Sequence, residues 1–277
     1  MNTLYEKPLK LVRRSLIVSN NNRIETIRKK LLGEEFETNS CGKCVVVDYK
    51  GEADVTVKFH DPEYTTICRI GNLKKGNVNN PLYPSVYRKG YIGVGKYSTK
   101  DVKVYKTWCS LMLRSYDKKF HLSRPTYKDV TVCEEWHNFQ NFAGWCYSQK
   151  FFSFVEKNGR SYHLDKDILV KGNKVYSPET CCFVPNEINV LLITTRPKKE
   201  KYPKGISYLK KCGKFNARLS VGGSMIYLGL FKNLEEAFGA YKEAKEIYIK
   251  QVATKWRGSI DDRVYNSLLS WNVSLND

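Results

Sequence analysis

The stretch from Lys204 to Tyr248 constrains the fold more tightly than any other part of the chain. Lys204–Tyr208, Lys214–Val221 and Ser224–Phe231 each read as a strand, most clearly the second, where apolar and polar residues alternate. The first two are joined across Lys210–Gly213. The second pair is joined by Gly222-Gly223, a two-residue hairpin signal, because such a turn needs positive φ that glycine adopts without steric cost. Asn233 then stands at the N-cap of a helix, with Glu236 at the capping-box position three residues on. Ala237, Ala240, Tyr241, Ala244 and Tyr248 recur on one helical face, and small alanines let a helix lie close to a sheet. The expected unit is a three-stranded antiparallel sheet packed on one helix.

Alternation assigns the two faces of that sheet. In the middle strand Phe215, Ala217, Leu219 and Val221 point toward the helix, so Asn216, Arg218 and Ser220 point away. Lys210, Lys211 and Lys214 add charge from the loop, Ser207 and Tyr227 join from the flanking strands, and Tyr208 is counted with them as a contact residue. Arg and Asn reaching from a sheet can read G and A edges in a major groove, while lysines set register on phosphate. An exposed basic sheet that binds RNA is the alternative reading of the same residues.

The overall charge agrees. The 277 residues carry 47 Lys and Arg against 28 Asp and Glu, a formal net of +19. That excess sits in two blocks: Lys74–Val132, with 13 basic and 3 acidic residues, and Arg196–Arg218, with 9 and 1. Concentration of this kind favours contact with a polyanion over general solubility. A membrane is a poorer partner, since apolar runs such as Val190–Ile193 fall far below the roughly 20 residues a span needs. Met1–Ile17 alternates charged and apolar residues and shows no signal-peptide pattern, so a cytoplasmic protein is expected.

Hydrophobic residues at 42% and aromatics at 13% are enough to build cores, which excludes a disordered chain. The nine cysteines are odd in number and irregularly spaced, as in a reducing compartment. Only Cys41-Gly-Lys-Cys44 has metal-ligand spacing. With Cys68 it makes three ligands where structural zinc usually has four, so zinc is not expected. Gly95-Lys96-Tyr97 lacks the Ser or Thr of a P-loop and precedes no helix, which excludes an NTPase of that type.

The expected class is α+β, in three regions. Residues 1–100 form a small β-rich module: a short helix over Arg23–Leu32, strands over Cys44–Gly51 and Ala53–Phe59, a loop over Asn72–Pro84, and a glycine-bearing strand that turns sharply or lies close to another backbone over Tyr91–Tyr97. Residues 101–195 carry helices over Val104–Tyr116 and Glu134–Tyr147, rich in buried-type aromatics. Residues 196–277 hold the sheet and helix described above.

Two resemblances follow. Lys204-Gly-Ile-Ser-Tyr, Gly213-Lys-Phe-Asn-Ala-Arg-Leu, Gly222-Gly-Ser-Met-Ile-Tyr-Leu-Gly-Leu-Phe and Glu235-Glu-Ala-Phe-Gly-Ala-Tyr-Lys-Glu-Ala resemble the Apetala-two, or ethylene-response-factor, DNA-binding domain, over Tyr202 to about Thr254. That family docks its sheet in the major groove. Phe215 stands where the family usually has Trp, and Ser207 stands near a frequent Arg. In the middle region, Trp108-Cys-Ser-Leu-Met-Leu-Arg-Ser-Tyr, Val130-Thr-Val-Cys-Glu-Glu-Trp-His-Asn-Phe, and Leu164-Asp-Lys-Asp with Tyr176-Ser-Pro-Glu-Thr-Cys resemble phage and mobile-element endonucleases of the HNH type.

The second resemblance implies a ββα unit, with strands over Ser161–Leu169 and Lys174–Phe183 and a helix over Asn186–Ile193. It further implies His163 or Asp165 as a base that activates water, Asn173 as its orienting residue, and Asp165, Asp167 and Asn189 as ligands to Mg²⁺. Lys166, between the two aspartates, departs from the family pattern, as does the absence of an Asp-His pair. Together the resemblances imply sequence-directed binding of double-stranded DNA by a homing-endonuclease-like protein in the host-cell cytoplasm. The alternative is a non-catalytic regulator or host-interaction factor.

Overall fold

A computed structural model of the protein describes residues 21–192 and 201–275. Met1–Ile17 and the first residues of the second basic block, Arg196–Glu200, lie outside the described residues. The fold is mixed α and β, and it divides into two compact units. One runs to Asp117 and takes in Glu135–Asn141; the other comprises Lys118–Glu134 and everything from Phe142 onward.

The first unit opens with helix α1 (21–31) and a four-stranded antiparallel sheet of β1 (Glu35–Glu37), β2 (Lys43–Gly51), β3 (Asp54–His60) and β4 (Glu63–Cys68), in that spatial order. Alternation in β3 works as expected: Val55, Val57 and Phe59 are fully buried, together with Val46 and Tyr49 of β2, and Ile24, Ile27 and Leu31 of α1 pack on this core. A short helix α2 (Ile70–Lys74) inserts Leu73 beneath the sheet. Helix α3 (Val102–Tyr116) is capped by the Asp101 side chain and buries Val104, Trp108, Leu111 and Met112. The Trp108 Nε1–H donates to the Trp136 carbonyl at 2.7 Å, which satisfies the one polar atom of a fully buried indole. The glycine segment Tyr91–Tyr97 is held by Gln140, whose Oε1 accepts from the Tyr97 N–H at 2.9 Å and whose Nε2 donates to the Tyr97 carbonyl at 3.0 Å.

The helix expected over Glu134–Tyr147 is two pieces, a 3-10 turn at Glu134–His137 and helix α5 (Phe139–Ser148), with α4 (Lys118–Ser123) earlier in the chain. The break falls at Asn138, whose side chain accepts from the Gln140 N–H at 2.9 Å and competes with the helical pattern.

In the second unit β5 (Thr131–Val132) pairs in parallel with β7 (Val175–Tyr176), and β6 (His163–Asp165) pairs antiparallel with β8 (Cys182–Val184). Helix α6 (Asn186–Leu191) follows β8 directly. Then come β9 (Ile206–Leu209), β10 (Lys214–Val221) and β11 (Ser224–Phe231) as a sheet of order β11-β10-β9, helix α7 (Leu234–Lys255) and helix α8 (Asp262–Leu269).

One apolar core runs through all of this. Ile168, Cys182, Val184, Ile188 and Leu191 bury together with Ile206, Ala217 and Leu219 of the sheet and Ala237, Tyr241, Ile249, Val252 and Ala253 of α7. The expected domain boundary between residues 195 and 196 is therefore not a break in packing. The ββα segment is too small to enclose its own apolar side, so it shares the core of the C-terminal sheet and helix. Lys255 Nζ and Trp256 Nε1 both bind the Glu187 carboxylate, at 2.6 and 2.7 Å, and tie the end of α7 to α6.

The C-terminal unit follows its local signals closely. Gly222 and Gly223 have φ of 59° and 90° and close the β10–β11 hairpin. Gly205 is required for a different reason: a Cβ there would run into the Tyr241 ring and the Arg218 carbonyl, besides a φ of 79°. The Asn233 side chain accepts from the Glu236 N–H at 2.8 Å, as the sequence implied. Asn233→Ala should cost about 1 kcal/mol of unfolding free energy, read as a lower urea midpoint at unchanged slope.

Candidate nucleic-acid interface

The register of the C-terminal sheet settles which side chains share its open face. Asn216 lies between Ser207 and Leu230, Lys214 opposite Leu209, Arg218 opposite Tyr227, and Ser220 opposite Met225. Directly opposed residues point to the same side, so these nine form the face away from α7. Lys214, Arg218, Ser207, Ser220 and Tyr227 are exposed there, and Lys210 and Lys211 are exposed in the adjoining loop.

Two expected contact residues behave differently. Tyr208 pairs with Phe215, on the side that carries α7, and its ring lies 5.0 Å from the Phe215 ring, with Tyr202 completing the cluster. It is a half-open edge of the helix-side packing, not a member of the outer face. Asn216 does lie on the outer face but is only 3% exposed. It is a short side chain on the middle strand, flanked by a neighbour on each side. Its Nδ2 donates to Ser207 Oγ at 3.4 Å, and its Oδ1 is buried without a hydrogen-bond partner among the described residues. It shapes the face without reaching beyond it.

Of the apolar part of this surface, sequence reasoning placed Tyr227 and missed Leu209, Met225 and Leu230. Leu209, Met225, Tyr227 and Leu230 are 38, 61, 60 and 41% exposed. In β11 the pairing shifts between Ala217 and Arg218, leaving Leu228 as an extra residue beside Gly229. The bulge turns Leu228 toward the core while Leu230 and Tyr227 both face outward. The available signal was the glycine within a strand.

The ββα segment places its implied catalytic residues in a hydrogen-bonded loop. His163 and Asp165 share one face of β6, with His163 exposed and Asp165 half-buried opposite Cys182. Asp165 Oδ1 accepts from the backbone N–H groups of Asp167 and Ile168, both at 2.9 Å. Desolvation, reinforced by the Asp167 carboxylate, pushes the Asp165 carboxyl up to about 6. Asp167 pairs with Lys166 Nζ at 3.0 Å, and the same ammonium donates to the Asn173 carbonyl at 3.0 Å. Asn173 is turned onto the backbone of its own loop: its Nδ2 donates to the Lys166 and Val175 carbonyls, and its Oδ1 accepts from the Val175 N–H. Asn189 sits on α6, with its N–H on the Pro185 carbonyl at 3.0 Å.

The expected strands are also shorter than the ββα pattern requires. Lys166–Lys174 is loop, and Lys174–Phe183 is broken into β7 and β8 by the turn at Ser177–Thr180. As arranged, the donors do not suit Mg²⁺, which takes an octahedral shell of oxygens. One Asp165 oxygen is engaged by two amides, and Asp167 is neutralised by the buried ammonium of Lys166. Among the described residues no group of three His, Cys, Asp or Glu is placed to hold a metal ion. At Cys41, Cys44 and Cys68 the thiols are free, and burial, with Cys68 adding, pushes the Cys44 thiol up to about 11, which disfavours the thiolate a metal needs.

Beside β8 a cavity of about 270 Å³ is lined by Lys150, Phe151, Cys182, Phe183 and Asp261, among others. The Asp261 carboxylate there is already engaged by Arg263 at 2.8 Å and by the first turn of α8. Among the described residues no helix is long and apolar enough to cross a membrane.

No protein-family model, curated protein or solved structure matches the chain.

Proposed function

We propose that the protein binds double-stranded DNA in a sequence-directed manner through the outer face of β9–β11, and that the HNH-like segment supports this module without cleaving DNA. The observation that carries the reading is the placement of Arg218 and Lys214 on an uncovered sheet face whose opposite side is filled by α7. A two-stranded ribbon such as β10–β11 fits a B-form major groove, and an Arg at its centre is the side chain best suited to the O6 and N7 acceptors of guanine. Lys210, Lys211 and Lys214 at one end provide phosphate contacts that fix register. The nine free cysteines suit a cytoplasmic setting, where thiols stay reduced.

The test is binding of labelled duplexes over a range of salt concentration. Affinity should fall steeply with salt for specific and random duplexes alike. Arg218→Ala should lose roughly 1–3 kcal/mol on the preferred sequence and relax its preference there. Lys211→Ala should weaken all sequences about equally and lower the salt slope by about 1. Affinity that ignores salt, or equal affinity for single-stranded RNA, would remove the reading.

A further inference from the structure

The exposed apolar side chains of the outer face are not scattered. Leu209, Tyr227, Met225 and Leu230 each lie directly across a strand pair from a polar or cationic residue of β10: Lys214, Arg218, Ser220 and Asn216 in turn. None belongs to the apolar core beneath the sheet. Of the four rows that these pairs make, the one with Arg218 and Tyr227 has Leu230 in the row before it and Met225 in the row after. Rows on one face recur every two residues, about 6.8 Å along a strand, or about two base-pair steps of 3.4 Å.

We propose that Met225 and Leu230 read the 5-methyl groups of thymines on either side of a base pair contacted by Arg218, a specificity that rests on the duplex-DNA reading above. The thymine methyl is the one apolar feature that a base pair offers in the major groove, and apolar side chains discriminate it by contact alone. A protein partner would also cover apolar side chains. Charge complementarity favours DNA: the same face carries Arg218 and Lys214, and the adjoining loop Lys210 and Lys211, with no acidic residue among the strands β9, β10 and β11. The mixture gives each partner of the duplex its own kind of contact, cation to phosphate or guanine and methyl to methyl. Ser220 and Ser207 fill the remaining positions with small groups that keep the apolar side chains prominent.

The experiment isolates the methyl. Duplexes enriched by the full-length protein from a randomised pool containing thymine are re-synthesised with uracil at every thymine, and both forms are titrated at one salt concentration. Loss of one well-buried methyl, about 0.8 kcal/mol, corresponds to roughly fourfold weaker binding. Two such contacts should together weaken binding more than tenfold. In Met225→Ser and Leu230→Ser, both exposed positions that a folded protein tolerates, the ratio between thymine and uracil duplexes should shrink toward one while the salt slope stays unchanged. Equal binding of the two duplexes by the unsubstituted protein overturns this inference and leaves the duplex-DNA reading standing. Failure to enrich or bind any duplex overturns both. Substitutions that alter self-association on a sizing column, with an unchanged thymine-to-uracil ratio, assign the patch to a second copy of the chain instead.

Discussion

Ile188→Ala is expected to destabilise the whole second unit by roughly 2–5 kcal/mol, the usual range for emptying a fully buried isoleucine site. Ile188 has no exposed surface and sits on α6, within an apolar core whose members come from both sides of the 193–200 segment: Val184 and Leu191 before it, and Ala237, Tyr241 and Ile249 after it. A cavity at this point removes contacts from the ββα segment and from the face of α7 that supports the sheet. Thermal unfolding followed by circular dichroism should show a fall of roughly 2–4 °C for each kcal/mol lost. On the proposed function, DNA affinity should disappear over the same temperature range as the secondary structure, because the outer face of β9–β11 has no core of its own. If residues up to 192 and residues from 201 were independent domains, the variant would melt in two separated steps. Duplex binding would then survive the first of them.

That shared core explains why some of the architecture was legible and some was not. Local signals decide a hairpin and a cap, so β10, β11, the Gly222-Gly223 turn and the Asn233 cap could be read from a few residues each. β9 begins two residues later than its alternation suggested, because Gly205 at φ 79° turns the chain there and contacts Tyr241 and Arg218, partners that only the folded helix and sheet supply. β4 went unread because it is an edge strand whose alternate residues are only half buried, which weakens the apolar contrast. The faces of β10 were correctly separated by alternation. The bulge at Leu228 broke the same rule in β11, and with it the view of the exposed Leu230. At the implied catalytic segment the difficulty was chemical. Aspartates two apart look like paired ligands along a strand, but an Asp carboxylate can instead accept from the backbone two and three residues on, and Asp165 does so. Nothing in the residue types distinguishes the two uses; only the course of the backbone does.

Asp165→Asn separates those uses, and its effect is expected to depend on pH. In the folded protein the Asp165 carboxyl is raised from 3.8 to about 6 by burial and by Asp167, so the folded state holds its proton more tightly than the unfolded chain. The resulting stabilisation is fully present below pH 3.8 and is lost as pH rises through 6. A displacement of that size corresponds to roughly 3 kcal/mol. Asparagine keeps an oxygen for the Asp167 and Ile168 amides and has no proton to lose. The stability of the wild-type protein relative to Asp165→Asn should therefore fall by that amount between pH 4 and pH 7, measured by urea unfolding at each pH. The variant should equal or exceed the wild type at neutral pH. A residue that merely caps a loop should leave DNA affinity unchanged when replaced in this way, and supercoiled plasmid with Mg²⁺ should respond identically to the two proteins. A general base gives the opposite result, since an amide cannot accept the proton of an attacking water. Magnesium-dependent nicking by the wild type that vanishes in Asp165→Asn, with parallel pH–stability curves, would return Asp165 to catalysis and show that the carboxylate ionises freely in the folded protein.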